Sequence, residues 1–137
     1  MCTIDTIQIG DSASFTKTVT ESDITLYADI SGDINPVHMD AEYAKTTMFG
    51  QRIAHGMLSA GYISNVLGNQ LPGPGTIYIG QELRFVRPVF IGDTVTVTVT
   101  VVEKIEEWDH LRLKTVVTNQ NGDAVITGMA TVMPPKA

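Results

Sequence analysis

The stretch "HGMLSAGYISNVLG", residues 55–68, decides how the chain is read. Met57, Leu58, Ile63, Val66 and Leu67 are spread around it rather than gathered on one stripe, the pattern of a helix buried on most sides. Ala60, Gly61 and Ser64 are small enough for a sheet or a ligand to come close to its backbone. Gly68 is a natural stop. Everything downstream changes character. After the turn "LPGPG" (71–75) come "TIYIG" (76–80), "ELRFVRPVF" (82–90) and "TVTVTVTVV" (94–102), each read as a strand. In the last of these Val95, Val97, Val99 and Val101 point one way and Thr94, Thr96, Thr98 and Thr100 the other, so one face packs and one meets water. Further strands are expected at about 109–119 and 124–133, joined through "NQNG", where Asn121-Gly122 signals a tight turn.

Upstream, "ASFTKTV" (13–19) alternates loosely and predicts a first strand. Thr20 and Asp23 then stand in a Thr-x-x-Asp arrangement that can cap a helix with Ile24, Tyr27, Ala28 and Ile30 on its apolar side, ended by Gly32. Pro36 keeps Asn35 out of the helical region, so Asp33 and His38 belong to a bent segment able to turn both side chains inward. A short helical piece capped by Asp40 is expected at 40–47. The order predicts an α+β fold of one domain, residues 1–137, in which an antiparallel sheet wraps a central buried helix.

With 137 residues, 43% hydrophobic and 18% charged, the chain has room for one core and not for two of ordinary size. A net charge of −6 argues against a nucleic-acid partner. No apolar run approaches the roughly 20 residues of a bilayer span, and the N-terminus lacks the basic and apolar regions of a signal peptide, so a cytoplasmic protein with no membrane partner is expected. The single cysteine, Cys2, cannot form an internal disulfide or a cysteine zinc site.

"SGDINPVH" (31–38) holds the site candidates. Asp33 and His38 can be an acid/base pair, since a carboxylate can hold an imidazole or a shared water while either moves a proton near neutral pH. The spacing alone fits equally well a turn-forming Asp33 and an exposed loop imidazole. His38-Met39-Asp40 with His55 or His110 also matches two histidines and a carboxylate around iron, a weak signal in a chain this short. His55-Gly56 opens the buried helix, whose first-turn amides can meet a developing oxyanion if Asp33 and His38 reach the same place. Arg84 and Arg87 lie on opposite faces of a regular strand, and either of them, or Arg52 or Lys45, can hold phosphates.

"SGDINPVH", then "FGQRIAHGML" (49–58), then "LPGPGTIYIGQELRFVRPVFIGD" (71–93) resemble the (R)-specific enoyl-CoA hydratases of the MaoC-like group, single-domain members of the hot-dog fold. The resemblance runs over nearly the whole chain. It implies a catalytic Asp33 and His38, a supporting Asn35, a thioester-binding amide at Gly56 and a site-lining Ser64, with His55, Met57, Arg84 and Arg87 as further substrate contacts. It also implies a homodimer paired edge to edge and an acyl-CoA thioester substrate, the acyl chain short and running beside Met57, Leu58, Ile63, Val66 and Leu67. The chemistry is reversible syn addition of water to a trans-2-enoyl thioester, giving the (R)-3-hydroxyacyl product, with no metal and no cofactor. Asp33 is the favoured base and His38 the favoured partner in proton delivery. An acyl-CoA-binding protein without turnover and a thioesterase are the alternatives on this fold. Storage-polyester supply, fatty-acid handling and a fermentative route would all use the same site.

Overall fold

The computed structural model describes residues 2–136. Five strands form one antiparallel sheet: β1 (Ser12–Thr18), β2 (Ile77–Phe85), β3 (Thr94–Ile105), β4 (His110–Thr118) and β5 (Ala124–Met133), in the spatial order β1-β3-β4-β5-β2. The four helices α1 (Glu21–Ser31), α2 (Pro36–Met39), α3 (Ala41–Ala44) and α4 (Gly56–Asn69) all lie between β1 and β2 in the chain, and a 3₁₀ turn at Glu106–Trp108 joins β3 to β4.

The valine ladder of β3 is the centre of the core. Val95, Val97 and Val99 are fully buried, as are Leu111, Leu113 and Val117 of β4 and Ala130 and Val132 of β5. Ile63, Val66 and Leu67 of α4 pack into the same cluster, and α4 lies against β3, β1 and β2. Each such side chain contributes about 1.5–3 kcal/mol, so this sheet-on-helix layer accounts for the greater part of the driving force. The threonines of the opposite face pair across strands instead, with hydroxyl contacts of 3.0 Å between Thr16 and Thr96 and 2.8 Å between Thr18 and Thr94.

The expected Thr20 cap is present in full. Thr20 Oγ1 accepts from Asp23 N–H, and Asp23 Oδ2 accepts from Thr20 N–H. Gly32 then closes α1 at φ 78°.

Several expected details differ. Ile30 is 85% exposed, because Ile24 and Ala28 already fill the inward side of α1. Gly68 does not end α4, which runs through it to Asn69, and Gln70 N–H and Leu71 N–H still reach back to the carbonyl of Val66. "TIYIG" and the start of "ELRFVRPVF" are one strand, β2, with a register shift between Tyr78 and Gly80, and it ends at Phe85. The β4–β5 connection is looser than an Asn-Gly turn. Asn119 Oδ1 accepts from Asn121 N–H and Asp123 N–H and organises residues 119–123.

Candidate active site

The site lies where the chain between α1 and α2 meets the start of α4. Asp33 follows Gly32 on a short exposed turn. Its Oδ1 accepts from Asn35 N–H at 3.2 Å, and Asn35 Oδ1 accepts from Val37 N–H at 3.2 Å, capping α2. Pro36 at the first position of α2 suits the cap, since no amide is wasted there. His38 therefore sits on α2, buried to 9% exposure, and not on the turn that carries Asp33.

His38 Nδ1 lies 2.8 Å from the carbonyl of Ile53. A carbonyl only accepts, so Nδ1 carries the hydrogen and the lone pair of the neutral ring is on Nε2. Burial lowers the pKa of His38. The bond to Ile53 raises it, neighbouring His55 lowers it and Asp33 raises it, and the balance stays below the ordinary imidazole value. The ring is held neutral and basic at one nitrogen.

His55 lies directly against it, ring centroids 4.1 Å apart with planes at 33°, and also touches Tyr27 at 4.7 Å. Its Nε2–H donates to the carbonyl of Asp33 at 2.8 Å. Asp33, His38 and His55 each offer a ligand atom within 4.8 Å of the others, the one such group among the described residues. Asp40 and His110 are not part of it. Asp40 is occupied capping α3, where its Oδ1 accepts from Glu42 N–H and Tyr43 N–H. Each ring already spends one nitrogen on a backbone carbonyl, His38 Nδ1 on Ile53 and His55 Nε2 on Asp33.

Gly56 opens α4, where a first-turn amide has no acceptor within the helix and carries the positive end of the dipole. A Cβ there would fall 2.6 Å from Phe85 Cε1, so glycine is required by the close approach of that ring. A cavity of about 380 Å³ begins at His38 and Gly56 and continues past Phe49, Met57, Ser59, Phe85 and Arg87. A second, of about 470 Å³, runs along the outer side of α4 beside Met57, Gly61 and Ser64, with Tyr78, Ile79 and Leu83 opposite. Met57 stands between the two.

The structure thus brings Asp33 and His38 together beside Gly56 at the start of α4, and sets Ser64 and Met57 along adjoining space; Asp33 and Asn35 lie outside the lining of either cavity, and the Asn35 side chain caps α2. His55 is 2% exposed and lies behind His38, outside the lining of either cavity, although its chain neighbours Ala54 and Gly56 line the first. Arg84 and Arg87 are not related by strand alternation, because β2 stops between them. Arg87 lines the first cavity and donates from Nη1 to Ala124 O at 2.8 Å. Arg84 lines a separate groove with Thr127 and Met129. Arg52 is committed elsewhere, with Nε–H donating to His38 O at 2.6 Å and Nη1 paired with Glu21 at 2.7 Å. Lys45 is exposed and bridges Glu42. Ile63, Val66 and Leu67 are fully packed in the core, so the side of α4 that faces open space is Met57, Gly61 and Ser64.

Sequence reasoning passed over Ser59. Its Oγ is buried without a partner in the wall of the first cavity, and a serine inside an apolar helix carries no signal of that by itself. Phe49 and Phe85, far apart in the chain, gave none either.

Comparison with known proteins places the geometry in a group. Residues 6–124 match the model of the MaoC like domain. The chain is 56% identical over 129 residues to an (R)-specific enoyl-CoA hydratase of Rhodospirillum rubrum, covering 94% of this chain and 89% of that one. It is 41% identical to the (R)-specific enoyl-CoA hydratase of Aeromonas caviae, covering 94% and 96%. Among solved structures, the unliganded R-hydratase of Pseudomonas aeruginosa superimposes with a TM-score of 0.93 at 47% identity, covering 99% of this chain and 87% of that one.

Proposed function

This chain belongs to the MaoC-like domain family, and from that premise we propose that it is an (R)-specific enoyl-CoA hydratase acting at Asp33, His38 and Gly56. One observation carries the site assignment: a neutral imidazole whose only free lone pair adjoins a carboxylate at the N-terminus of a buried helix.

The β-carbon of a 2-enoyl thioester accepts water only as far as the thioester oxygen can take up charge. Gly56 N–H meets that oxygen, and a donor so placed is worth on the order of 3 kcal/mol in the barrier. Water held between the Asp33 carboxylate and His38 Nε2 attacks C3. Neutral His38 carries no hydrogen on Nε2, so the proton that reaches C2 must first leave the water. The tautomer therefore moves the base role toward His38: Nε2 takes one proton and returns it to C2 on the same face, while Asp33 accepts a hydrogen bond from the other hydrogen, which stays on the oxygen, and so aims that oxygen and balances the imidazolium. C3–O and C2–H bonds form, one water is consumed, and the enzyme returns to its starting state. These steps call on no metal and no cofactor.

The acyl chain and pantetheine arm occupy the two adjoining cavities, with Met57 between them and Ser64 on the wall of the second. Arg87 is the nearer cation for the CoA phosphates, and Arg84 the more remote one. A short acyl chain such as crotonyl fits the modest volumes. The molecule acts as a homodimer joined along β2, an edge strand whose Ile77, Tyr78 and Ile79 are exposed and whose unpaired backbone invites a partner. The other edge, β1, offers mainly serine, threonine and lysine. No helix is long and apolar enough to cross a membrane among the described residues, and a cytoplasmic enzyme is consistent with this.

The test is loss of the enoyl-thioester ultraviolet absorbance on crotonyl-CoA, with chiral analysis of the product. Asp33→Asn and His38→Gln should each cost roughly 100- to 10,000-fold. Tight binding without turnover of crotonyl-CoA or longer enoyl chains would leave an acyl-CoA-binding protein instead, and release of free CoA would indicate a thioesterase.

A further inference from the structure

We propose that His55 is a positioning residue for this reaction, a second imidazole that acts through Asp33 and His38 without touching substrate. The inference rests on the hydratase reading above. Three features of the structure support it.

The turn that carries Asp33 is held almost wholly by itself. Asp33 N–H donates to Ser31 Oγ at 3.1 Å, Asp33 Oδ1 and Asn35 Oδ1 accept from amides two residues on, and His38 N–H donates to Asn35 O. Such bonds shape a turn but do not fix where it lies on the protein. Among the hydrogen bonds described for residues 33–35, the tie that reaches across the chain is His55 Nε2–H to Asp33 O, between residues 22 apart. It fastens the exposed turn to the start of α4, the same point that presents Gly56. The carboxylate and the oxyanion amide are thereby set in one frame.

His55 is also 2% exposed, so its ring is closed off from substrate, whereas Asp33 stands on an exposed turn. The His55 ring instead forms the floor under His38, with the centroids 4.1 Å apart. Together with the His38 Nδ1–H bond to Ile53 O, this floor leaves His38 one orientation. Finally, donation to a carbonyl puts the hydrogen of the neutral His55 ring on Nε2 and leaves a buried Nδ1 lone pair with no partner. A buried polar atom left unpaired costs stability, and glutamine or asparagine would serve a purely structural bond as well. An imidazole satisfies two demands at once: a donor at Nε2 and a flat face for His38.

Two variants separate these roles. His55→Gln places an amide N–H near the position of Nε2 and loses the ring; His55→Phe keeps a ring and loses the donor. Steady-state hydration of crotonyl-CoA is measured for both, with binding of butanoyl-CoA, a saturated analogue, and circular dichroism as checks on the folded site. His55→Phe should lose about 10- to 100-fold in kcat, the usual size of a small misplacement of catalytic groups, with KM and butanoyl-CoA affinity within about threefold of the parent. His55→Gln should recover most of that loss. Its acid limb in kcat/KM should move to higher pH, because the neighbour that lowers the pKa of His38 is gone; Asp33 and the Arg52 guanidinium on the His38 carbonyl are the other charged groups beside that residue, while Tyr27 lies against His55 itself.

A His55→Phe enzyme with unchanged kcat, or one whose loss lies in KM and analogue binding, overturns the proposal. If His55→Phe does not fold, His55→Gln decides: an acid limb that stays in place, or a kcat itself down by about 10- to 100-fold, is the overturning result. Failure of the parent protein to hydrate any enoyl-CoA is a different outcome, which removes the hydratase reading and this inference with it.

Discussion

His38 donates Nδ1–H to Ile53 O, so one nitrogen remains to do chemistry, and burial makes that nitrogen slow to take up a permanent proton. The direction of the pH dependence follows. The proposed mechanism requires the unprotonated Nε2, and the folded pKa lies below the ordinary value of 6.5. The acid limb of kcat/KM should therefore fall below pH 6.5 and not above it, as a pH-rate profile will show. Asp33 raises that pKa, so Asp33→Asn should move any residual activity's limb further down. The unfolded chain takes this proton first as pH drops, so stability is also lost below about 6.5 as pH falls toward the folded value. At Gly56 the constraint is steric. A Cβ would meet Phe85 Cε1 and Cδ1 at 2.6 and 2.7 Å, and either the ring or the first turn of α4 must move. Gly56→Ala should lower kcat about 10- to 100-fold on crotonyl-CoA and also lower the melting temperature, since such overpacking costs about 1–3 kcal/mol.

At the scale of elements, the sequence signals that worked were those closed within a few residues. The Thr20–Asp23 capping box needs only its own four residues, and it is present with both bonds. Burial tends to raise the Asp23 pKa, but the Thr20 amide, the Thr20 hydroxyl and Lys17 together outweigh it and hold the carboxyl below its usual value. Thr20→Ala should cost about 1 kcal/mol in denaturant unfolding. Gly68 shows the opposite case. Read locally it is a stop, yet α4 passes through it, its φ is not in the left-handed region, and an added Cβ would meet nothing within 4 Å. Gly68→Ala should stabilise by roughly 0.5–1 kcal/mol in the same measurement, as expected for a glycine inside a helix. β2 failed to be legible for a related reason. Its register shift beside Gly80 breaks the period-two pattern, so one strand reads as two, and only pairing with β5 holds it together.

For the whole molecule, the two sheet edges differ in a way that matters to assembly. β2 exposes Ile77, Tyr78 and Ile79 beside the cavity lined by Met57, Gly61 and Ser64, so a second copy paired there would close that cavity. If the proposed dimer pairs here, Ile79→Glu puts a charge on this edge and should shift the protein toward monomer in sedimentation velocity, with a loss of activity in proportion. The sheet itself was readable at a distance, because "TVTVTVTVV" declares which residues face inward whatever they pack against, and Val95, Val97, Val99 and Val101 all do. So was the pair of Asp33 and His38 as candidates, together with Gly56 at a helix start, since residue type, proline placement and spacing are written along one short piece of chain. The tertiary structure alone decided the tautomer of His38, the burial of His55 behind it, the commitment of Arg52 to the His38 carbonyl, and the cavity that joins Ser59, Phe49 and Phe85. Each of those rests on a contact between segments distant in sequence, and such contacts exist only once the helix has been wrapped by the sheet.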